Sequence, residues 1–147
     1  MIAVMSEPRP GPGARGDYAF FSSTTTRWMD NDAFGHLNNA VYYSLIDSAV
    51  CARFVRLGIL QRPDARHILM VAESGCRYHG EAKYPDVLDL GVRMARLGGS
   101  SVRHEIGVFR DGAAAACAEG FMVHVCVDTG TRRPAPMPAD WRAALLD

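Results

Sequence analysis

The sequence predicts an α+β domain in which one long, buried helix is wrapped by a curved antiparallel sheet of five strands. Three observations carry this expectation. Residues 39–57 are apolar around nearly the whole circumference of a helix, which forces burial on most sides. From residue 68 onward, stretches of alternating apolar and polar residues are separated by tight-turn dipeptides. The chain has 147 residues, 48% of them hydrophobic, which suits one domain with a core of its own.

Residues 1–16 carry Pro8, Pro10, Pro12 and several glycines and read as a flexible tail, leaving 17–147 as a single domain. The first strand is expected within 18–28, where aromatic residues and threonines favour extended backbone. Residues 29–38 are rich in Asp, Asn and Gly and read as a structured loop. Asn38 or Asn39 caps the helix that follows, and Gly58 stands where a helix ends. Val41, Tyr42, Leu45, Ile46, Ala49, Val50, Phe54 and Leu57 supply its apolar surface.

Residues 68–78 read as a strand, and Tyr84-Pro85-Asp86 marks a turn. In 87–94, Leu88, Leu90, Val92 and Met94 share a face opposite Asp89 and Arg93. Gly98-Gly99 signals a hairpin, after which Val102, His104, Ile106 and Val108 alternate with Arg103, Glu105 and Phe109. Asp111-Gly112 signals a second hairpin leading into a strand over 114–127. Pro134, Pro136 and Pro138 end the sheet, and 139–146 forms a short helix. One sheet of this size leaves part of the helix uncovered, so a homo-oligomer is expected.

Sixteen basic and sixteen acidic side chains give a formal net charge of +0, so phosphate-driven nucleic-acid binding is not expected. Cys51, Cys76, Cys117 and Cys126 stand singly in apolar stretches without metal or redox spacing. His79, His104 and His124 also lack ligand spacing, so no metal or other cofactor is expected. No apolar run reaches membrane-spanning length and the start has no signal-peptide pattern, which points to a cytoplasmic protein without a membrane partner.

The segment from Arg27 to Tyr42 concentrates the groups able to do chemistry. Two carboxylates, one imidazole and two amides precede the first turn of a buried helix, whose free N–H groups and dipole favour developing negative charge. These are the parts of an acyl-transfer centre. By residue type alone the same run is also a capped turn, since Asp, Asn and Gly are what any loop before a helix uses.

The run Asp30-x-Asp32-x-x-Gly35-His36-x-Asn38-Asn39-x-x-Tyr42 resembles the signature of the 4-hydroxybenzoyl-CoA thioesterase family of the hotdog superfamily. Val71-Ala72-Glu73-Ser74 with Tyr78, the stretch from Tyr84 to Leu88, and 128–138 are similar to the same family. The likeness spans roughly 18–138. It implies a hotdog fold assembled as a homodimer or homotetramer, and hydrolysis of an acyl-CoA or acyl-carrier-protein thioester. Asp32 matches the catalytic carboxylate, acting as nucleophile or as general base to water. The Asn39 N–H matches the oxyanion donor, and Gly35 lets the loop approach closely. His36 matches a subset of members with Gly-His-x-Asn-Asn, where others are apolar; it takes a supporting part, orienting Asp32 or the water. A thiolate whose conjugate acid has a pKa of about 8.5 leaves without a strong general acid, so one carboxylate and one oxyanion site suffice.

Asn38 and Tyr42 border this centre as substrate contacts. Asp47 interrupts the apolar helix on a stripe with Ser44, Ser48 and Cys51, roughly 12 Å along the axis from Asn39. It meets either a polar end of the acyl group or an arginine at a subunit contact. Ser101 and Arg103 follow the Gly-Gly hairpin, where the resemblance implies polar groups at the CoA phosphates; by position alone they are surface residues. Two alternatives accompany the hydrolase reading. One is a hydratase or dehydratase using His36 and Asp47, although the hydratase-type Asp-x-Asn-Pro-x-His run is absent. The other is a non-catalytic acyl-CoA-binding module.

Overall fold

Period-two alternation builds the sheet. The computed structural model describes residues 9–59 and 65–147. In β3 (Val87–Leu97) Leu88, Leu90 and Val92 are buried while Asp89 and Arg93 face the other way. In β4 (Ser101–Arg110) Val102, His104, Ile106 and Val108 repeat the pattern. With β1 (Phe20–Thr25), β2 (His67–Tyr78) and β5 (Ala118–Asp128) they form an antiparallel sheet ordered β1-β3-β4-β5-β2. A two-residue strand, β6 (Arg133–Pro134), pairs with the end of β5. Leu90 stands opposite Val108 and Ile106 opposite Gly120, so the inward residues of adjacent strands form continuous rows.

The helix α1 (Asn39–Arg56) lies on those rows. Asn38 caps it, its Oδ1 accepting the Ala40 N–H at 2.9 Å, and Gly58 at φ +70° closes it. Tyr42, Ile46, Ala49, Val50 and Phe54, spaced three and four apart, are its buried stripe. Ile46 reaches the sheet at Gly120, where a side chain on the strand would collide with it. A final helix, α2 (Ala139–Leu146), places Leu145 in the same core. This is the hotdog arrangement expected from the sequence.

Three expectations need correction. Burial of α1 on most sides does not hold within one chain: Tyr43, Ser44, Asp47, Ser48 and Val55 are exposed. The last long strand begins at Ala118 rather than 114, because the small residues before it turn aside to meet the N-terminal segment. There Ala116 N donates to Gly13 O at 3.0 Å and Arg15 N to Ala114 O at 2.9 Å. The chain is thus tied to the sheet from Gly13, inside the stretch assigned to a tail. Residues 1–8 of that tail lie outside the described residues. Phe109, expected on the polar outer face, is 0% exposed. The Tyr18 ring packs edge-on at 5.6 Å and the Arg15 guanidinium lies 4.9 Å from its centroid, forming a small second core with Ala116.

Two histidines are sealed inside the main core. His104 and His124 stand edge-on to Phe54 at 5.4 and 5.1 Å. Neither ring nitrogen of His104, nor Nδ1 of His124, has a hydrogen-bond partner among the described residues. Burial, with Arg53 and His124 adding positive charge nearby, pushes His104 down to about 3. Burial also lowers His124, against a smaller upward pull from Asp47. The fold holds these imidazoles neutral, whereas the unfolded chain protonates them below about pH 6.5. Their stabilising effect is therefore complete above that pH and declines as pH falls towards 3. Urea unfolding between pH 7 and 4 should show His104→Leu losing clearly less stability on acidification than wild type.

Candidate active site

The loop between β1 and α1 is shaped by its own hydrogen bonds. It begins with a 3₁₀ turn, Trp28–Asp30, whose last residue is buried. The Asp30 carboxylate accepts the Arg27 backbone N–H at 2.7 Å, Arg27 Nη2 at 2.8 Å and Nε at 3.1 Å. Those bonds hold it below the ordinary carboxylate range. The first aspartate of the motif is thereby committed to structure. Its carbonyl accepts the Asn38 N–H at 2.9 Å, and Asn31 bridges Leu37, so residues 31–37 form a closed lobe.

Asp32 lies within that lobe. Its N–H donates to His36 O at 2.8 Å and its carbonyl accepts from Gly35 N at 3.1 Å. Its Oδ1 accepts Phe34 N at 2.8 Å and, more weakly, His36 N at 3.4 Å. This is an Asx-type turn, in which Asp supplies its own acceptor. Gly35 takes φ +80°, the left-handed conformation that glycine adopts without strain. Asp32 Oδ2 has no hydrogen bond among the described residues, and the residue is half-buried.

The His36 imidazole makes no hydrogen bond to Asp32 among the described residues. Its Nε2 lies 3.1 Å from Glu81 Oε2. Asn38 spends its amide oxygen on the helix cap and its carbonyl on Val41 N at 2.9 Å. Of the first three amides of α1, those of Ala40 and Val41 are therefore taken. That of Asn39 has no protein acceptor among the described residues. Tyr42 is buried one turn further on, its ring edge-on to Tyr78 at 5.1 Å, and burial raises its hydroxyl to about 12.

The structure gathers Asp32, Gly35, His36, Asn38 and Asn39 into one loop with Tyr42 behind it. It does not bring the other three expected contacts there. Asp47 is exposed along α1 with Ser44 and Ser48. Ser101 and Arg103 lie at the opposite end of β4 from Arg110, the residue beside the loop's support; seven residues of strand are roughly 23 Å. Arg103 instead stacks on Phe121 at 3.9 Å and lines a cavity of about 590 Å³ on the outer face, with Arg77, Arg93, Glu105 and Glu119. A groove of about 480 Å³ runs beside α1 from Asp30 and Ala40 to Ser48, with Thr24 and Arg27 on its other wall.

The sequence marks a turn at Tyr84-Pro85-Asp86 and assigns nothing to residues 81–83. In the structure this segment carries the loop: Ala82 O accepts Leu37 N at 2.7 Å, Tyr84 N donates to Asn31 Oδ1 at 3.1 Å, and Glu81 holds His36. Its signal was present in Tyr84-Pro85-Asp86, whose pairing with a loop some fifty residues earlier no local pattern reveals. Among the described residues, no three His, Cys, Asp or Glu side chains are grouped as a metal site requires.

Residues 26–145 match the thioesterase-like superfamily. The chain superposes on the PA5185 protein of Pseudomonas aeruginosa strain PAO1 at a TM-score of 0.86 and 39% identity, over 93% of this chain and 95% of that one. It shares its fold with Slr0204 of Synechocystis, a 1,4-dihydroxy-2-naphthoyl-CoA thioesterase, at a TM-score of 0.80 and 16% identity, covering 87% and 96% of the two chains. YsmA of Bacillus subtilis (strain 168) is 24% identical over 114 residues, 77% of each protein.

The lobe's geometry makes Gly35 the costly position to substitute. Gly35→Ala should lower stability by about 1 kcal/mol in urea unfolding, from the left-handed conformation imposed on a side chain. Gly99→Ala, at a hairpin glycine with open space around it, should stay within about 0.5 kcal/mol of wild type.

Proposed function

The chain belongs to the thioesterase-like superfamily, and we propose that it hydrolyses an acyl-CoA-type thioester to the free acid and thiol, in the manner of the 4-hydroxybenzoyl-CoA thioesterases. The observation that carries this reading is the hydrogen-bonding state of two groups seven residues apart, the Asp32 carboxylate and the first amide of α1. Among the described residues, one carboxylate oxygen is bound inside its lobe and the other has no partner, and the helix that follows presents an Asn39 N–H without an acceptor. The fold is also that of a CoA thioesterase, Slr0204.

On this reading the thioester carbonyl oxygen lies against the Asn39 N–H, where the helix dipole and a preorganised donor favour the oxyanion. Asp32 Oδ2 either takes a proton from water as that water attacks the carbonyl carbon, or attacks the carbon itself. In the first case the tetrahedral intermediate collapses and expels the thiolate. In the second the thiolate leaves behind a mixed anhydride, which water then opens. Both end in acid and thiol. Glu81 holds one nitrogen of His36, leaving the other to face water, which fits a water-positioning role.

A second copy of the chain completes the site. The strand β2 is an edge of the sheet, with Met70 and Val71 exposed on it, and α1 has an open side. Two such edges paired antiparallel about a twofold axis bring the start of one β2 beside the end of the other. The end of the sheet bearing Ser101 and Arg103 then approaches the neighbouring copy's Asp32 lobe. There the guanidinium groups around the outer cavity offer donors to the phosphates of CoA or of a carrier protein's phosphopantetheine. Asp47, with Ser44 and Ser48, suits a polar end of the acyl group. A hydratase using His36 and Asp47 is not favoured, because that imidazole pairs with Glu81 and Asp47 lies two turns along α1. No helix among the described residues is long and apolar enough to cross a membrane, and the free thiols of all four cysteines fit a reducing compartment such as the cytoplasm.

Release of free thiol from a panel of acyl-CoAs tests the reading, with Asp32→Asn expected to lower turnover about 10²–10⁴-fold. Equal turnover by that variant removes the mechanism, and no turnover on any acyl chain removes the function. Binding of acyl-CoA without thiol release, unaffected by Asp32→Asn, would mark a non-catalytic module. In sedimentation, wild type should run as a dimer or tetramer and Met70→Lys/Val71→Lys as a monomer.

A further inference from the structure

The Asp32 lobe rests on a second loop, and that loop is anchored by one ion pair. Asp86 is 7% exposed at the end of the 83–86 turn. Its Oδ2 accepts Lys83 N at 2.9 Å, and its backbone N–H returns a bond to Lys83 O at 2.9 Å. Its carbonyl accepts both Thr26 N and Thr26 Oγ1 at 3.0 Å, binding the turn to the end of β1. From β4, Arg110 closes on the same carboxylate. Nε lies 2.8 Å from Oδ2 as an ionic contact, and Nη2 donates to Oδ1 at 3.3 Å.

This turn is the platform from which the lobe hangs. Both residues at the lobe's neck reach it, Asn31 through Tyr84 N and Leu37 through Ala82 O. The chain just after β1 and the chain just before α1 are thus pinned to one short segment. The part of that segment tied to the rigid centre of the sheet by side chains is Asp86. We propose that the Asp86–Arg110 pair is a positioning device for Asp32: it fixes the 81–86 segment and so sets the carboxylate's distance from the Asn39 N–H. The proposal rests on the hydrolytic reading of Asp32. Neither partner touches substrate in it. A reacting carboxylate displaced by about 1 Å can cost 10²-fold in rate, so a remote anchor has leverage on turnover that it lacks on binding.

The test uses full-length Arg110→Gln and Arg110→Lys, with Asp86→Asn as a third variant. Arg110→Gln leaves the Asp86–Lys83 bond intact, so it remains informative where Asp86→Asn fails to fold. Expected for Arg110→Gln is a fall in kcat of about tenfold or more with KM for the best acyl-CoA within about twofold. Arg110→Lys, which keeps the charge but loses the forked geometry, should fall between it and wild type. Amide hydrogen exchange supplies a readout independent of activity: protection at Leu37 and Tyr84 should drop in Arg110→Gln, while that at Ile106 and Val108 in β4 stays unchanged. Unchanged kcat together with unchanged protection at Leu37 overturns the proposal. So does a loss of protection spread evenly over the sheet, with kcat and KM moving together, since that marks a general stability effect. Should Asp32→Asn retain full activity, the hydrolytic reading fails by itself, and the exchange measurement still decides whether the pair holds the lobe.

Discussion

Everything in this molecule depends on how closely α1 can lie against the sheet. Ile46 reaches the strand where β5 carries Gly120 and not a side chain. That close approach lets Ala49 and Val50 reach the same surface and holds Tyr42 and Phe54 at the two ends of the contact. Burying such a stripe is the dominant favourable contribution to the fold, and only tight packing realises it in full. Once the axis of α1 is fixed, so is the place where the helix starts. The first free amide of that helix then points to one spot in space, however irregular the loop before it.

The loop solves a different problem, holding two carboxylates ahead of that helix in different hydrogen-bonding states. Two aspartates two residues apart are treated in opposite ways. Asp30 is wrapped by three donors of Arg27 and becomes a structural anion, whereas Asp32 uses one oxygen for its own turn and keeps the other. Local hydrogen bonding, more than burial, separates their roles. A residue such as Asn38, which caps the helix with its side chain and feeds the first turn with its carbonyl, removes the competing amides and leaves Asn39 distinct.

Much of this was legible in the chain. The helix was readable because a nearly unbroken apolar run bounded by an Asn cap and a Gly has one sensible conformation, and its bounds moved by a single residue. The strands of 87–110 were readable because alternation and turn residues agree. Features set by contacts distant in sequence were not. Phe109 looked like a residue of the polar face because nothing nearby shows that Tyr18 and Arg15 fold over it. Tyr84-Pro85-Asp86 reads as a plain turn, and residues 81–83 as nothing in particular, because the partners of this segment, Asn31 and Leu37, belong to another element. In the candidate site, the Asn38 cap and the Gly35 turn are local and were legible. The loop's support is non-local, and so was the separation of Ser101 and Arg103 from Asp32.

The strap formed by the N-terminal segment has a bearing on the order of events when the chain folds. Its bonds join residues about a hundred positions apart, Arg15 to Ala113 and Tyr18 to Glu119. Closing so long a loop is entropically costly until the rest of the sheet exists to receive it. The strap also covers a small separate cluster and leaves the main core untouched. It is therefore the natural last piece to dock and the first to lift, a local opening that bares Phe109 and the polar back of the sheet while the helix stays seated.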